Sequence, residues 1–525
     1  MTPAADFDVV VVGMGMSAAP LIEHLMTSGL RVLIIERGAQ WDPDKPSASA
    51  IDGDRVATIP RSRDHFLLRS GPDSTDVGEK WWATGAAGGG HAIWYGQVSR
   101  FRNSDFLAAS HFRQIAIEGV SDVLLGDWPV DANAMAPFYD EIEQKLAPST
   151  ARFNMVTKPR QHMRYVRIRP YLSHFEREIS RALHQMGFPH FSTATARGGR
   201  RWLNAPVDPL TLAPRSPFGG PSDWFWRILG RLPNAAVDVA WNSYASSIDR
   251  SGNHFEVRYT SGAAQTSVRA RKLVLATGAL ETVRLLLNSD LPDPFRQTGT
   301  RFTFTTEAEC FIATKIPRSR KARDIATGSF ASITVPCAYD GDHRLGIGKG
   351  GKIAIYDAHS SDLAADLERK LGRSYTGDDA PHYLLKLSFK GESIPYPGKN
   401  VALSTSVNAY GHNVPLINYA LHEHDHRVLD TVVAMFKAIC AGLPGSEILA
   451  IKAPRSGLGT VSAHQHGGAA MSSSPDEGVL NGDCEHWQVP GLFVADGASM
   501  PSSAATNSTL TLLANALRIG RKLTE

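Results

Sequence analysis

Asp6-Phe7-Asp8-Val9-Val10-Val11-Val12-Gly13-Met14-Gly15-Met16-Ser17-Ala18 is the stretch whose reading decides the fold. Phe7 to Val12 is a β-branched apolar run suited to a buried strand, and Leu21, Ile22, Leu25 and Met26 then recur at helical spacing. The pattern is strand, tight turn, helix. Gly13 lets the chain turn, Gly15 lets a pyrophosphate approach the backbone, and small Ala18 lets the helix pack close to the strand. The unpaired N–H groups at the helix start, around Met16 and Ser17, attract phosphate. Pro20 is tolerated because the first helical turn has spare donors. The next strand, Arg31 to Ile35, runs into Glu36, about twenty residues past the turn, where a carboxylate accepts hydrogen bonds from an adenosine ribose and disfavours a 2′-phosphate. A plain βα turn is the alternative; strand, helix and acid together favour a dinucleotide site.

The chain has 525 residues, 42% of them hydrophobic, enough to bury a large core and to build two or three domains. A formal charge of +3 without a basic, aromatic-interleaved stripe argues against a nucleic-acid partner, and the basic cluster Arg318 to Arg323 reads as a solvated loop. Cys310, Cys337, Cys440 and Cys484 show no paired spacing and read as buried thiols in a reducing compartment. Asp6 and Asp8 lie where a signal peptide would be apolar, and no run of eighteen apolar residues occurs, so the expectation is a soluble, cytoplasmic protein with no membrane partner.

Further along, Trp81 to Gln97 is dense in glycine and aromatic residues, including Gly88, Gly89, Gly90 and His91, as suits backbone lying flat against a planar ligand; a glycine-rich turn packed by tryptophans is the alternative. Met135 to Leu146 reads as an amphipathic helix, and His174 to Met186 as another inside a polar stretch to which no role is assigned. A second strand-to-helix turn lies at Lys272 to Ala279, with Ala276-Thr277-Gly278 at its corner. Between Phe302 and Ser406 apolar and polar residues alternate over several short strands, for example His382 to Phe389, as in a half-exposed antiparallel sheet and a plausible substrate-domain floor. Arg427 to Ala441 reads as a helix whose core face is Val428, Val432, Val433, Phe436 and Ile439.

The turn at Gly13, the Gly88-Gly89 segment, Ala276-Thr277-Gly278, the phrase GESIPYPGKNVALS, His464-x-x-Gly467-Gly468 and the terminal Asp496-Gly497 segment together resemble the glucose-methanol-choline (GMC) family of FAD-dependent oxidoreductases, in order and spacing along the whole chain. In that family a catalytic histidine heads an H-x-x-G element, which falls on His464, and a histidine or asparagine lies eleven residues after the terminal aspartate, which from Asp496 falls on Asn507. The resemblance implies an α/β fold: a Rossmann-like FAD-binding domain from residues 1–150, 190–300 and 456–525, the last carrying the catalytic residues, and a substrate domain at 301–455 on a mostly antiparallel β-sheet with helices. It implies FAD contacts at Gly13, Gly15, Met16, Ser17, Ala18, Glu36, Arg37, Gly88, Gly89, His91, Ala245, Ala276, Thr277, Gly278, Asp496, Gly497, Ser508 and Thr509. Gly96-Gln97 through Arg100-Phe101, Trp128-Pro129 and the Phe138-Tyr139 helix look more like the branch that handles sugars, polyols and their acids. Covalent attachment in the family uses a histidine directly before the tryptophan; Ile93 stands there and His91 is two positions off, which implies non-covalent FAD. The element continues Gly468-Ala469-Ala470-Met471 without the arginine many members carry before the methionine.

The chemistry agrees. Oxidising an alcohol removes a proton from oxygen and a hydride from carbon; a flavin takes the hydride, so a base must sit beside it. Histidine suits that task near neutral pH, and an amide can donate a hydrogen bond to the developing oxyanion. His464 is the expected base, Asn507 the donor, and His466 the fallback base, since two residues on in an extended segment it points to the same side. Structural alternatives stand beside these: Asp496 as a turn residue, and Asn507 as a helix cap. His422-Glu423-His424-Asp425-His426 reads as a polar helix cap rather than a metal site. The expected function is oxidation of an alcohol on a sugar, aminosugar, cyclitol or polyol-like small molecule, with oxygen or another acceptor discharging the cofactor. The rivals are a non-redox lyase or decarboxylase retaining FAD, oxidation of a steroid or aryl alcohol, an NAD-linked dehydrogenase, and a non-enzymatic flavin-binding sensor.

Overall fold

The computed structural model describes residues 6–39, 64–71, 74–80, 82, 87–90, 96–115, 120, 122–146, 148–150, 167–168, 173–196, 224, 228, 230–232, 236–319, 332–358, 369, 372 and 382–525. At its centre is a seven-stranded sheet. Phe7–Val12 pairs in parallel with Val32–Ile35 on one side and with the long strand Ala264–Leu275 on the other. Val237–Ala240 extends one edge, and Leu492–Val494 pairs in parallel with Leu273 to Leu275. These strands are apolar on both faces, as a parallel sheet covered by helices requires; Val9 to Val12, Ile34, Ile35 and Leu273 to Leu275 are all buried. The first half of Ala264–Leu275 instead runs antiparallel to His254–Ser261, which pairs with Ser243–Ser251. Helices Ala19–Leu25, Ala132–Leu146 and Thr509–Thr524 lie against one another beside this sheet, so the two ends of the chain meet.

A second, six-stranded sheet is antiparallel throughout, in the order Glu447–Lys452, Thr306–Pro317, His382–Gly391, Gly351–Asp357, Ser332–Cys337 and Phe191–Ser192. Alternation separates its faces. Cys310, Ile312, Leu385, Leu387, Ile353 and Ile355 share one face and pack under the helices Glu423–Gly442 and His174–Gln185 through Val432, Phe436, Phe175 and Ile179. The register places Glu307, Glu309, Lys386, Lys390 and Lys352 on the opposite face. A four-stranded sheet, Asn400–Val407, Asn413–Asn418, His65–Arg69 and Thr75–Glu79, ties an early segment to a late one.

Some boundaries differ from expectation. Phe191–Ser192 lies with the antiparallel sheet although it falls in the 190–300 span, because pairing with Ser332–Cys337 captures a strand too short to carry a periodic signal. In the helix Glu423–Gly442, Leu429 takes a core place while Val433 is half-buried, a one-residue rotation of the apolar stripe. The four cysteines are free and buried. Among the described residues no helix is long and apolar enough to cross a membrane.

Candidate active site

Three backbone turns converge at the C-terminal ends of the parallel strands, where open α/β sheets take ligands. Gly13 has φ +93°, and a Cβ there would lie 2.5 Å from the Ala276 carbonyl oxygen, so the first turn is pressed against the second. Gly15 bridges to Gly88, whose N–H donates to the Met14 carbonyl at 2.9 Å, bringing the third turn onto the first. Met16 to Ala18 form a short 3-10 turn leading into Ala19–Leu25, with Pro20 in the first helical turn. Gly278, at φ +89°, ends the second turn and caps the helix Ala279–Leu287.

Glu36 closes one end of this cradle. Its carboxylate accepts from Met14 N at 2.7 Å and Gly38 N at 2.6 Å, and burial pushes its carboxyl above the usual range against the pull of those donors. Arg37 beside it is ion-paired with Asp64. Ala245 is buried in the strand Ser243–Ser251, its carbonyl accepting from Arg284 at 3.2 Å. Asp496 joins the strand end Leu492–Val494 to the second turn: one carboxylate oxygen accepts from Gly278 N at 2.9 Å and Thr282 Oγ1 at 2.6 Å, the other from Ala498 N at 2.9 Å. Thr277 bonds Thr282 through their hydroxyls at 2.8 Å.

The histidine element runs alongside Gly497–Ser499. Gly467 N donates to the Gly497 carbonyl at 2.9 Å and Ala469 N to that of Ala498 at 3.1 Å. His466 Nε2 and Ser508 Oγ are 3.0 Å apart, which ties this element to the segment carrying Asn507 and to Thr509, the first residue of the last helix. His466 is buried, and burial together with the neighbouring His464 pushes its imidazole down to about 3. His464 is only partly covered, its side chain 31% exposed. The fallback histidine is thereby walled in, since Gln465–His466 pairs with Thr303–Phe304.

Among the described residues three polar atoms here are buried without a hydrogen-bond partner: Gln465 Nε2, His466 Nδ1 and Asn507 Oδ1. Buried polar atoms are seldom left unpaired, and such a cluster fits the polar edge of a ligand. With the glycine cradle at one end and these atoms at the other, the residues present fit an extended dinucleotide bearing a polar ring system.

His464 is held by neighbours that sequence reasoning missed. Its Nδ1 lies 3.2 Å from Glu307 Oε1, its backbone N–H donates to Ser462 Oγ at 3.1 Å, and its carbonyl accepts from Thr305 N at 3.0 Å. Ser462 Oγ donates to the same Glu307 oxygen, and Lys390 ion-pairs with the other. Among the described residues His464 Nε2 has no hydrogen-bond partner. Glu307 lies 157 positions from His464 and carries no local signal; the alternation of its strand was the only trace. His91 lies outside the described residues, as does Ile93.

The fold is that of a dinucleotide-binding α/β protein, and it carries an imidazole, His464, oriented by Glu307 and Ser462. Residues 397–516 match the family model for GMC oxidoreductase. The chain is 26% identical to 6'''-hydroxyparomomycin C oxidase of Streptomyces lividus, over 98% of this chain and 91% of that one. It is 26% identical to paromamine 6'-oxidase of Streptomyces fradiae, over 98% and 90%. In structure it is similar to pyridoxine 4-oxidase from Mesorbium loti, with TM-score 0.63 and 16% identity over 98% of each chain. The chain thus carries the C-terminal domain of a GMC oxidoreductase over residues 397–516 and is similar along its whole length to oxidases.

Proposed function

We propose that this protein oxidises a CH–OH group of a polyhydroxylated, sugar-like small molecule to a carbonyl, with FAD bound non-covalently and oxygen or another acceptor completing the cycle. The observation that carries the reading is His464, imidazole tethered at Nδ1 and open at Nε2, beside a sheet face bearing Glu307, Glu309, Lys386 and Lys390. That charged face favours a substrate rich in hydroxyls over a steroid or aryl alcohol, whose apolar surface would leave those groups desolvated. Relatives named for oxidising aminoglycoside-type sugars support the same class.

When bound, FAD supplies a hydride acceptor. The chain's own residues do the rest. The turns at Gly13, Gly15, Gly88, Gly89 and Gly278 let the pyrophosphate approach the backbone closely, Glu36 accepts from the ribose, and Asp496 holds the second turn and the Gly497 segment in register. His464 Nε2 takes the hydroxyl proton as the C–H bond gives up its hydride, and the Asn507 amide donates to the oxygen while negative charge develops on it. Segments 1–150, 190–300 and 456–525 form the cofactor side and 301–455 most of the substrate side in this reading. The free, buried cysteines accord with a cytoplasmic setting.

Anaerobic mixing of the purified, FAD-loaded protein with sugars, aminosugars, cyclitols, sterols and aryl alcohols tests this. Loss of visible absorbance with a polyhydroxylated class supports the reading. Loss with sterols or aryl alcohols alone, or with no alcohol, overturns it and moves weight to an apolar substrate or to non-redox lyase chemistry.

A further inference from the structure

We propose that Glu307 is the positioning residue for His464, fixing the tautomer that makes Nε2 the proton acceptor, and that Lys390 sets how strongly Glu307 favours the protonated ring. The proposal rests on the reading of His464 as base.

Glu307 sits near the start of Thr306–Pro317, directly opposite Lys390 in the register with His382–Gly391. Its two carboxylate oxygens face different partners: one meets His464 Nδ1 and Ser462 Oγ, the other Lys390 Nζ. Burial raises the Glu307 carboxyl, but Lys390 and His464 outweigh it and hold the group well below the usual carboxylate range. An ionised carboxylate only accepts hydrogen bonds. Ser462 spends its hydroxyl proton on Glu307 and so has none to give Nδ1. Nδ1 must therefore carry the ring proton, and the lone pair is left on Nε2, the nitrogen without a partner among the described residues. Ser462 also accepts from the His464 backbone, so ring and main chain are pinned by one hydroxyl–carboxylate pair.

The same carboxylate lies 3.2 Å from the positive charge that appears when His464 takes the substrate proton. Opposite charge at that range favours the protonated ring, and Lys390 damps the effect by neutralising Glu307. Among the described residues the other titratable groups nearby are His466, kept neutral by burial, Lys352, opposite Lys390 in the register, and the Glu309–Lys386 pair two residues farther along the same face. None of them is hydrogen-bonded to Nδ1.

The experiment measures the pH dependence of anaerobic cofactor reduction in FAD-loaded Glu307→Gln, Glu307→Asp and Lys390→Met proteins, with the Glu307→Gln change repeated in a His464→Ala background. Glu307→Gln is expected to lower the plateau rate about ten- to a hundredfold with little change in KM, and to move the acid limb of the profile to lower pH. Lys390→Met is expected to move that limb the opposite way, and Glu307→Asp to restore part of the rate. In the His464→Ala protein the Glu307→Gln change is expected to cost nothing further. Nitrogen-15 histidine spectra supply a readout independent of turnover: His464 protonated at Nδ1 in the wild type, mixed tautomers in Glu307→Gln. Unchanged tautomers, limbs that move together in the Gln and Met variants, or an undiminished Glu307→Gln loss without His464 overturn the proposal. Wild-type rates in His464→Ala itself overturn instead the base reading beneath it.

Discussion

Gly13 and Gly15 lie two residues apart in the first turn, yet alanine should act on them in different ways. At Gly13 the backbone has φ +93°, and an added Cβ would sit 2.5 Å from the Ala276 carbonyl oxygen and 2.8 Å from its carbon. Neither is the end of a flexible side chain. The turn is also pinned by Gly13 N donating to the Ile35 carbonyl and Ala276 N to that of Val12, both at 2.8 Å, so relief requires two strand ends to part. Left-handed strain costs about 1–2 kcal/mol and overpacking about 1–3 kcal/mol, so Gly13→Ala should destabilise by roughly 2–5 kcal/mol and also shed FAD. Gly15 has φ −74°, and its Cβ would meet the same oxygen at 3.8 Å, an ordinary contact. Stability of the cofactor-free protein should therefore change by no more than about 1 kcal/mol, the range for an unstrained Gly-to-Ala change. The methyl group nonetheless enters the space a pyrophosphate needs, and flavin content should fall at least about tenfold. Calorimetric melting of the apoproteins and flavin per chain by absorbance separate the two effects. A Gly15→Ala protein that keeps its full flavin complement, or that melts as low as Gly13→Ala, refutes the assignment of this turn.

Two buried titratable groups predict opposite pH trends in stability. Glu392 is buried with Oε1 accepting from Ser503 at 2.9 Å and Oε2 without a partner among the described residues, and burial pushes its carboxyl up to about 7. A raised carboxyl contributes stability that is complete below the unfolded value and is lost as pH rises through about 7. Glu392→Gln should thus melt higher than wild type at pH 8, by on the order of 1–3 kcal/mol, and about level with it at pH 4.5; a pH-independent difference would count against this. Among the described residues the Lys352 amine has one hydrogen bond, to Ser99 Oγ at 3.3 Å, and burial pushes it down to about 7. Burying the charged amine costs most below that value and progressively less toward the unfolded one. The gain from Lys352→Met should therefore exceed about 1 kcal/mol below pH 7 and shrink as pH approaches 10, and melting curves showing the reverse slope would refute it. Asn507→Ala should lower kcat about ten- to a hundredfold, less than loss of the base, with KM nearly unchanged; unaltered steady-state constants would remove its role.

What could be read before the structure is what local chain chemistry encodes. The run Val9 to Val12, its two glycines and Glu36 are all determined within one βαβ unit, and the structure builds that unit as read. His422 was legible as a cap: its ring accepts from His424 N at 3.1 Å while Asp425 reaches back to its backbone N–H. That Asp425 also neutralises buried Lys399, from the GESIPYPGKN phrase, was not legible, because the pair forms only when two distant segments pack. The same holds for Glu307 on His464, for Gly15 against Gly88, and for His65–Arg69 beside Asn413–Asn418. Each is a matter of sheet register or turn contact across many residues, and neither periodicity nor spacing reports on those.

The central claim is that His464 removes the hydroxyl proton in an FAD-dependent alcohol oxidation. The most direct test mixes FAD-loaded wild-type and His464→Ala proteins anaerobically with the most effective polyhydroxylated alcohol and follows a single turnover of visible absorbance. The account predicts equal flavin content in the two and a reduction rate about a hundred- to ten-thousandfold lower without the imidazole, the usual worth of a positioned base. Equal rates in the two proteins would contradict it.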